Sequence, residues 1–343
     1  MELPVYQHLR PNVTTYKLLQ LPPDVLEAMN LQDPIQIKSS RNEADLVMVS
    51  PDKTWRLRQM NQTNSVLLMD ETTRPGSLIG KANLPYQYEV VAIDGSINTA
   101  DIPIFTGQLP YGELYSVEDL LNDSAISKNQ FFKHWFNIGG CEIEGRACIL
   151  SPDFIKEVVD LFLTLVITKQ IDYKSEEFNI EETTISSELK GVDSRVTDNI
   201  VTTVLHKFCD FDPKTSKFRV NNEKVAMFYG ILALKSLQKP IDTKEFYLVW
   251  KNYLPNFYNI PINLDLLKGW YYKNSGLHYL DGGELSMDIG TRIKELFACT
   301  GQWELEDMEP YLKMFVVNKK VESLLLKYAK VKRVGSKKIV VPR

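Results

Sequence analysis

Short runs of apolar and β-branched residues alternate with polar turn sequences over roughly the first hundred positions. Trp55 and Leu57 alternate with arginines, a pattern typical of a half-buried antiparallel strand. The clearest strand segments are 46–50, 54–59, 65–69, 90–93 and 102–105. A helix is predicted over 22–30. These features predict a small barrel or an open half-barrel, and an open sheet has edges that can accept a partner strand.

From residue 116 the pattern changes to helices, and one unit recurs: a helix, a second helix and a short hairpin. Ser116 is the predicted N-cap of the first helix, and Pro310 is expected in the first turn of its helix, where its missing N–H is harmless. The hairpins are predicted to turn at Glu144-Gly145, Asn274-Ser275-Gly276 and Gly335-Ser336. Two helices followed by a hairpin indicate a winged helix. The alternative is three unrelated helical segments with incidental hairpins.

The predicted fold class is α+β, with an N-terminal β-rich open barrel half followed by tandem winged-helix domains. Residues 172–193 combine seven acidic residues with two lysines and many Ser/Thr, which is typical of a solvated linker. The predicted domains are a partner-binding β domain at 1–115, winged helix 1 at 116–171, the acidic linker at 172–193, a helical segment with winged helix 2 at 194–285, and winged helix 3 at 286–343.

Charge changes this picture at the C-terminal end. The whole chain has a formal charge of −4, whereas residues 324–343 hold seven basic residues and no acidic one. A helix predicted over 320–330 would pack by one apolar face and expose lysines from another. The candidate DNA-binding residues on this helix and its hairpin are Lys320, Lys327, Lys330, Lys332, Arg333, Lys337 and Lys338.

Such a cationic surface suits a phosphate backbone, and its richness in lysine does not indicate base-specific readout. The alternative is a solvated basic tail that only maintains solubility. The other two predicted hairpins lack this charge, so we expect their units to serve packing or protein contacts.

No catalytic constellation emerges from the remaining residues. The segment 74–82 resembles a phosphate-binding loop, but only three residues separate Gly76 from Gly80, and Ala82 replaces the hydroxyl that would bind magnesium. The four histidines lie far apart, and the four cysteines have no CxxC spacing, which indicates reduced thiols. The apolar segment 154–170 is too short and too charged to span a bilayer. We therefore expect a binding protein without enzymatic activity, cofactor, metal or membrane contact.

Several ordered motifs resemble the "defective in sister chromatid cohesion" family, which provides a non-ATPase subunit of the alternative, cohesion-type clamp loader. The resemblance covers most of the chain, and its strongest stretches lie near the C-terminus. The motifs are Ser50-x-Asp52-Lys53-Thr54-Trp55, Leu67-Leu68, Glu118-Asp119-Leu120-Leu121, Ile138-Gly139-Gly140, Ile149-Leu150-Ser151, Leu267-Lys268-Gly269, Trp303-x-x-Glu306-Asp307-x-x-Pro310 and Lys327-Tyr328-Ala329.

The resemblance implies more than the residues do. It implies that the N-terminal β domain pairs with the small and large clamp-loader subunits in a composite barrel. It also implies that the C-terminal winged helices bind DNA and that the assembly docks on the catalytic subunit of DNA polymerase epsilon. Other subunits would hydrolyse ATP and handle the sliding clamp PCNA, and the location would be nuclear. A protein-interaction scaffold without direct DNA binding is the alternative, and a nucleotide-dependent enzyme using 76–82 is a third hypothesis.

Overall fold

The structure is a computed structural model. It describes residues 5–7, 15–39, 46–61, 66–71, 77–108, 115–316 and 320–343. By internal contacts the chain divides into two compact units, Met1–Ile155 with Asp193–His206, and Lys156–Val192 with Lys207–Arg343. None of the helices in the described part of the chain is long and apolar enough to cross a membrane.

The N-terminal part is rich in strands and contains one helix, α1 (Pro23–Asn30), which starts with a proline in its first turn. The strands are β1 Val5–Gln7, β2 Leu18–Gln20, β3 Gln36–Ser39, β4 Leu46–Val49, β5 Thr54–Asn61, β6 Leu67–Glu71, β7 Leu78–Asn83 and β8 Tyr86–Ile93. Residues 78–82 of the segment that resembles a phosphate-binding loop belong to strand β7, which pairs with β6 and β1. Residues 74–76 lie outside the described residues.

Five of these strands form one sheet in the order β2-β8-β5-β4-β3. The predicted alternation along β5 is confirmed, because Trp55 is fully buried and the neighbouring Arg56 is exposed. Helix α1 packs on this face of the sheet through Val25, and the indole of Trp55 donates a hydrogen bond to Asp24 at 3.0 Å. Within the described residues the sheet does not close into a barrel, and its edge strands are β2 and β3.

The rest of the chain repeats one order of elements: a short strand, two helices and a hairpin whose second strand pairs with the leading strand. The first copy consists of β9 Ile104–Phe105, α2 Val117–Asn122, α3 Lys128–Asn137, β10 Gly140–Ile143 and β11 Arg146–Leu150. Helix α4 (Pro152–Thr168) follows it. Ser116 caps α2 as predicted, since its hydroxyl accepts from the Asp119 N–H and its own N–H donates to the Asp119 carboxylate.

A second copy starts inside the region that the sequence predicts to be a linker. It consists of β12 Glu177–Phe178, α5 Ile185–Val192, α6 Asp198–Phe208, β13 Cys209–Asp212 and β14 Lys217–Val220. Residues 172–193 are thus not a solvated linker, because Phe178, Ile185 and Leu189 are buried. These buried apolar residues are widely spaced among acidic and hydroxyl residues, so the sequence shows no hydrophobic pattern that would indicate a folded segment.

The two remaining copies follow α7 (Asn222–Lys235). In the third, a single bridge from Ile241 to Leu277 replaces the leading strand. Its other elements are α8 Thr243–Tyr253, the 3₁₀ helix Leu264–Leu267, β15 Tyr271–Lys273 and β16 Leu277–Tyr279. Next come a 3₁₀ turn at Gly282–Glu284 and α9 Ile289–Cys299. The last copy consists of β17 Trp303–Glu304, α10 Leu305–Leu312, a 3₁₀ turn at Lys313–Phe315, α11 Val321–Leu325, β18 Ala329–Val334 and β19 Lys337–Pro342.

The α+β class and the three predicted hairpins are confirmed, and two details of the last copy differ from expectation. Pro310 lies inside α10 and not in its first turn. The helix expected over 320–330 ends at Leu325, because the chain from Ala329 onwards pairs with β19 instead. Backbone pairing that also buries Ala329 outweighs the helical spacing of the apolar residues.

Candidate nucleic-acid interface

The residues of the predicted basic surface lie on the last copy of the repeated unit. Its sheet has the order β17-β19-β18, and both strand pairs are antiparallel. One face of this sheet covers a core that includes Trp303, Tyr311, Leu325 and Val340, all nearly fully buried. The Trp303 indole donates to the carbonyl of Leu296 at 2.9 Å, which anchors β17 to α9. The cationic hairpin therefore extends from a packed scaffold.

The β18–β19 hairpin has two chemically different faces. Val331 lies opposite Val340, and both belong to the core side. Because side chains alternate along a strand, Lys330 and Lys332 point to the outer face, where both are exposed. These two lysines are about 6.6 Å apart along the strand, a spacing comparable with that of neighbouring phosphates in a nucleic acid. Among the described residues neither forms an ion pair.

Two other lysines of the hairpin are engaged by carboxylates. Lys337 Nζ lies 2.7 Å from Glu304 Oε1, and this hydrogen bond raises the pKa of Lys337. Lys338 Nζ lies 2.6 Å from Glu322 Oε2. The first pair joins β19 to β17 on the outer face, whereas the second joins β19 to α11 on the core side. Part of the positive charge of the hairpin is therefore compensated within the fold.

The remaining candidates are distributed around the same copy. Arg333 lies directly opposite Lys338, so two positive charges sit on one face near the Gly335-Ser336 turn. Lys320 is the N-cap of α11, and Lys327 lies in the turn after that helix. All seven predicted residues are exposed. Lys320, Lys327 and Lys330 do not form the helical stripe that the sequence predicts, because α11 ends at Leu325 and Lys330 lies in β18.

Sequence reasoning missed the two carboxylates, Glu304 and Glu322. Glu304 meets Lys337 only because β17 pairs with β19 in a register that places Glu304 opposite Ile339. Glu322 meets Lys338 only because α11 packs beside the hairpin. Neither spacing along the chain has a recognisable pattern, so no sequence signal could have found them.

The other groups considered for chemistry have structural surroundings. His206 stacks on Phe136 with ring centroids 4.6 Å apart, and His278 stacks on Tyr272 at 4.5 Å. His8 lies outside the described residues. Burial raises the pKa of Cys141 and of Cys148 to about 12, which makes both thiols unreactive. In the part of the chain that the structure describes, no group of three or more His, Cys, Asp or Glu could hold a metal ion.

Two of the motifs that carry the family resemblance contain residues that pack between elements of the fold. Asp307 is buried and accepts hydrogen bonds from Tyr271 at 3.1 Å and Lys273 at 2.9 Å, which ties α10 to β15. Gly140 lies beneath Trp135, where a Cβ atom would approach the ring to 2.1 Å. Asp307 and Gly140 therefore help to specify how the repeated units pack.

Comparisons with known proteins agree with this resemblance. A sequence model described as "Sister chromatid cohesion protein Dcc1" matches residues 16–312. The seven candidate cations lie beyond that range, so the case for them rests on the charge and geometry of this chain. A Sister chromatid cohesion protein DCC1 from Saccharomyces cerevisiae is 30% identical over 373 residues, covering 96% of this chain and 97% of that protein.

More distant relatives extend the similarity to vertebrates. A DCC1 protein from Xenopus tropicalis is 22% identical and covers 92% of this chain and 86% of its own length. One from Danio rerio is 26% identical over 63% of this chain and 54% of its own length. With a family match over most of its length and a full-length relative at 30% identity, the chain belongs to the Dcc1 family of sister chromatid cohesion proteins.

Proposed function

We propose that this protein acts in sister chromatid cohesion as a non-catalytic subunit of an alternative clamp-loader complex and that it binds DNA through its C-terminal end. The observation that carries the DNA-binding part is the exposed outer face of the β18–β19 hairpin. There Lys330 and Lys332 lie on the same face of a strand that packs on a buried core, without an ion pair among the described residues. Ammonium groups held in this way attract phosphates and release their counterions.

The order of elements supports the interpretation of the repeated units as tandem winged helices. In the last copy α9 precedes β17, two helices follow, and the hairpin receives β17 on its second strand. A winged helix has this helix-turn-helix followed by a hairpin wing. On this interpretation α11 is the recognition-type helix and β18–β19 is the wing, and contacts by lysine to the backbone would give little sequence specificity.

The N-terminal sheet supports the proposal that this region binds the small and large clamp-loader subunits. The edge strand β3 leaves one side unpaired in the described residues, and its Ile37 is 59% exposed. An open edge with an exposed apolar side chain suits the addition of a partner strand. Foreign strands would then complete the barrel half in a shared assembly.

Three further parts of the proposal rest on the family resemblance alone. They are docking on the catalytic subunit of DNA polymerase epsilon, an indirect connection to PCNA through other loader subunits, and a nuclear location. In this scheme the chain contributes no catalysis and takes no cofactor, because other subunits would hydrolyse ATP.

A second candidate function is a protein-interaction scaffold that does not touch DNA. The position of Lys330 and Lys332 favours this scaffold, because β18 is an edge strand and lysines on edge strands discourage unwanted pairing. Titration of the purified full chain into a fluorescein-labelled DNA duplex near physiological salt separates the two. The clamp-loader proposal requires saturable binding that weakens with salt, whereas a scaffold gives no binding.

A separate experiment tests the partner-binding region. The full chain is co-expressed with the two suspected loader subunits, and wild type is compared with the Ile37→Lys variant, which places a charge on the exposed edge. Co-purification of wild type and its loss for the variant would support strand addition at β3. Equal recovery of both chains would exclude this edge as the binding surface.

A further inference from the structure

Two carboxylates divide the cations of the β18–β19 hairpin into two classes. Glu304 holds Lys337 at 2.7 Å, and Glu322 holds Lys338 at 2.6 Å. Lys330 and Lys332, on the same hairpin, have no ion pair among the described residues. The hairpin thus presents only part of the positive charge that its sequence contains.

The two engaged lysines are still accessible to a ligand. The Lys337 side chain is 62% exposed and that of Lys338 is 49% exposed, whereas Glu304 and Glu322 are about one-third exposed. Ion pairs at such exposure are weak, so a phosphate group of high local charge density can compete for the ammonium group. This competition lowers the affinity for DNA, because each carboxylate must lose its lysine partner and then lies close to the incoming phosphate.

We propose that Glu304 and Glu322 are intramolecular counter-ions that compete with DNA phosphates for Lys337 and Lys338 and so limit the affinity of the hairpin for DNA. This inference rests on the proposed function, since it concerns the regulation of the same hairpin. Its physical content is that binding through Lys330 and Lys332 requires no rearrangement, while binding through Lys337 and Lys338 requires exchange of a carboxylate for a phosphate.

Such an arrangement has a consequence for selectivity among DNA sites. Weakened general attraction to phosphates shortens the time spent on arbitrary duplex, because the sequence-independent electrostatic contribution dominates non-specific binding. A loader subunit with these carboxylates would stay on DNA mainly when its partners hold it there. Removal of the carboxylates should therefore strengthen binding to any duplex and should not introduce a sequence preference.

A purely structural role for the two pairs makes a different prediction. Opposite charges on neighbouring strands contribute modestly to sheet stability. If Glu304 served only to hold β17 against β19, its replacement by glutamine would lower the melting temperature and leave DNA affinity unchanged. The two roles are therefore separated by measuring binding and stability on the same variants.

The test uses the full chain and a fluorescein-labelled duplex, with anisotropy titrations over a series of salt concentrations. Glu304→Gln and Glu322→Gln are each expected to bind about twofold to fivefold more tightly than wild type. The slope of log affinity against log salt should steepen by about 0.9 for each lysine released. Glu309→Gln is the matched control, because Glu309 is exposed in α10 and the change in net charge is identical. It should leave the slope unchanged.

A double-mutant cycle shows whether the effect passes through the paired lysine. In the Lys337→Gln background, Glu304→Gln should have no more effect than Glu309→Gln. If Glu322→Gln disturbs the short helix α11, the double-mutant cycle of Glu304 and Lys337 alone decides whether a carboxylate competes with DNA. The inference is overturned if wild type binds duplex while Glu304→Gln binds like Glu309→Gln. Failure of the proposed function looks different, since wild type itself would then not bind.

Discussion

The hydroxyl oxygen of Thr54 accepts a hydrogen bond from the backbone N–H of Ser127 at 2.8 Å, although 73 residues separate them in the chain. Ser127 is the N-cap of α3, and its own side chain makes no capping hydrogen bond. Nearby, the Asn129 N–H donates to the carbonyl of Pro51 at 3.0 Å. Thr54 at the start of β5 and Pro51 in the turn before it therefore cap α3 from outside, which joins the N-terminal sheet to the first repeated unit.

Replacement of Thr54 by valine should destabilise this junction. The change keeps the shape of the side chain but removes the acceptor for a buried N–H, and Thr54 is only 1% exposed. We expect a loss of about 1–2 kcal/mol in the free energy of unfolding, measured by urea denaturation. Thr54→Ser, which retains the hydroxyl, is the control and should lose less. Equal stability of wild type and the valine variant would refute external capping.

Gly140→Ala tests the close packing of the first hairpin on α3. A Cβ at this position would lie 2.1 Å from the Trp135 ring, and Trp135 is almost fully buried. We expect overpacking to cost about 3 kcal/mol, visible as a large drop in melting temperature. Gly191→Ala in α5 is the matched control, because a Cβ there meets nothing within 4 Å. It should be neutral or slightly stabilising, and similar behaviour of the two variants would contradict the packing argument.

Alkaline pH should destabilise the protein through its buried thiols. Burial raises the pKa of Cys141 and of Cys148 to about 12, whereas a thiol in the unfolded chain ionises near pH 9.0. The unfolded state then binds fewer protons above pH 9, so this contribution to stability is complete below pH 9 and is lost progressively towards pH 12. Between pH 8 and pH 10, ionisation of each thiol in the unfolded chain should lower the free energy of unfolding by about 1.4 kcal/mol.

The Cys141→Ala/Cys148→Ala variant provides the comparison for this pH dependence. Wild type should lose about 3 kcal/mol more than the variant between pH 8 and pH 10, measured as the difference in unfolding free energy from urea titrations. The comparison cancels the contribution of groups that both proteins share. Parallel pH profiles for the two proteins would show that these thiols do not govern the alkaline response.

Local signals were sufficient for much of the fold. The turns at Glu144-Gly145 and Gly335-Ser336 were predictable because glycine at these positions adopts positive φ. The alternation around Trp55 identified a half-buried strand correctly. Residues 172–193 were misinterpreted because only a few apolar side chains, such as Phe178, anchor an otherwise polar segment. The end of α11 was misplaced because pairing with β19 is decided by distant residues.

For the candidate site, too, the sequence predicted some features and not others. Exposure of the cations followed from their charge, and all seven are exposed. Their grouping did not follow, because it depends on strand register: Lys332 lies opposite Ile339, and Arg333 lies opposite Lys338. Predictions from helical spacing therefore placed Lys330 on a helix surface, whereas it belongs to the outer face of a sheet.

The central claim is that the outer face of the β18–β19 hairpin binds DNA phosphates. The most direct measurement compares the slope of log affinity against log salt for wild type, Lys330→Gln/Lys332→Gln and Lys214→Gln/Lys217→Gln, using the full chain and one labelled duplex. The control pair removes the same charge from exposed lysines of the β13–β14 hairpin, which also carries Asp210 and Asp212. We predict that the Lys330/Lys332 variant loses about 1.8 units of slope and that the control keeps the wild-type slope. Equal slopes for all three proteins would contradict the account.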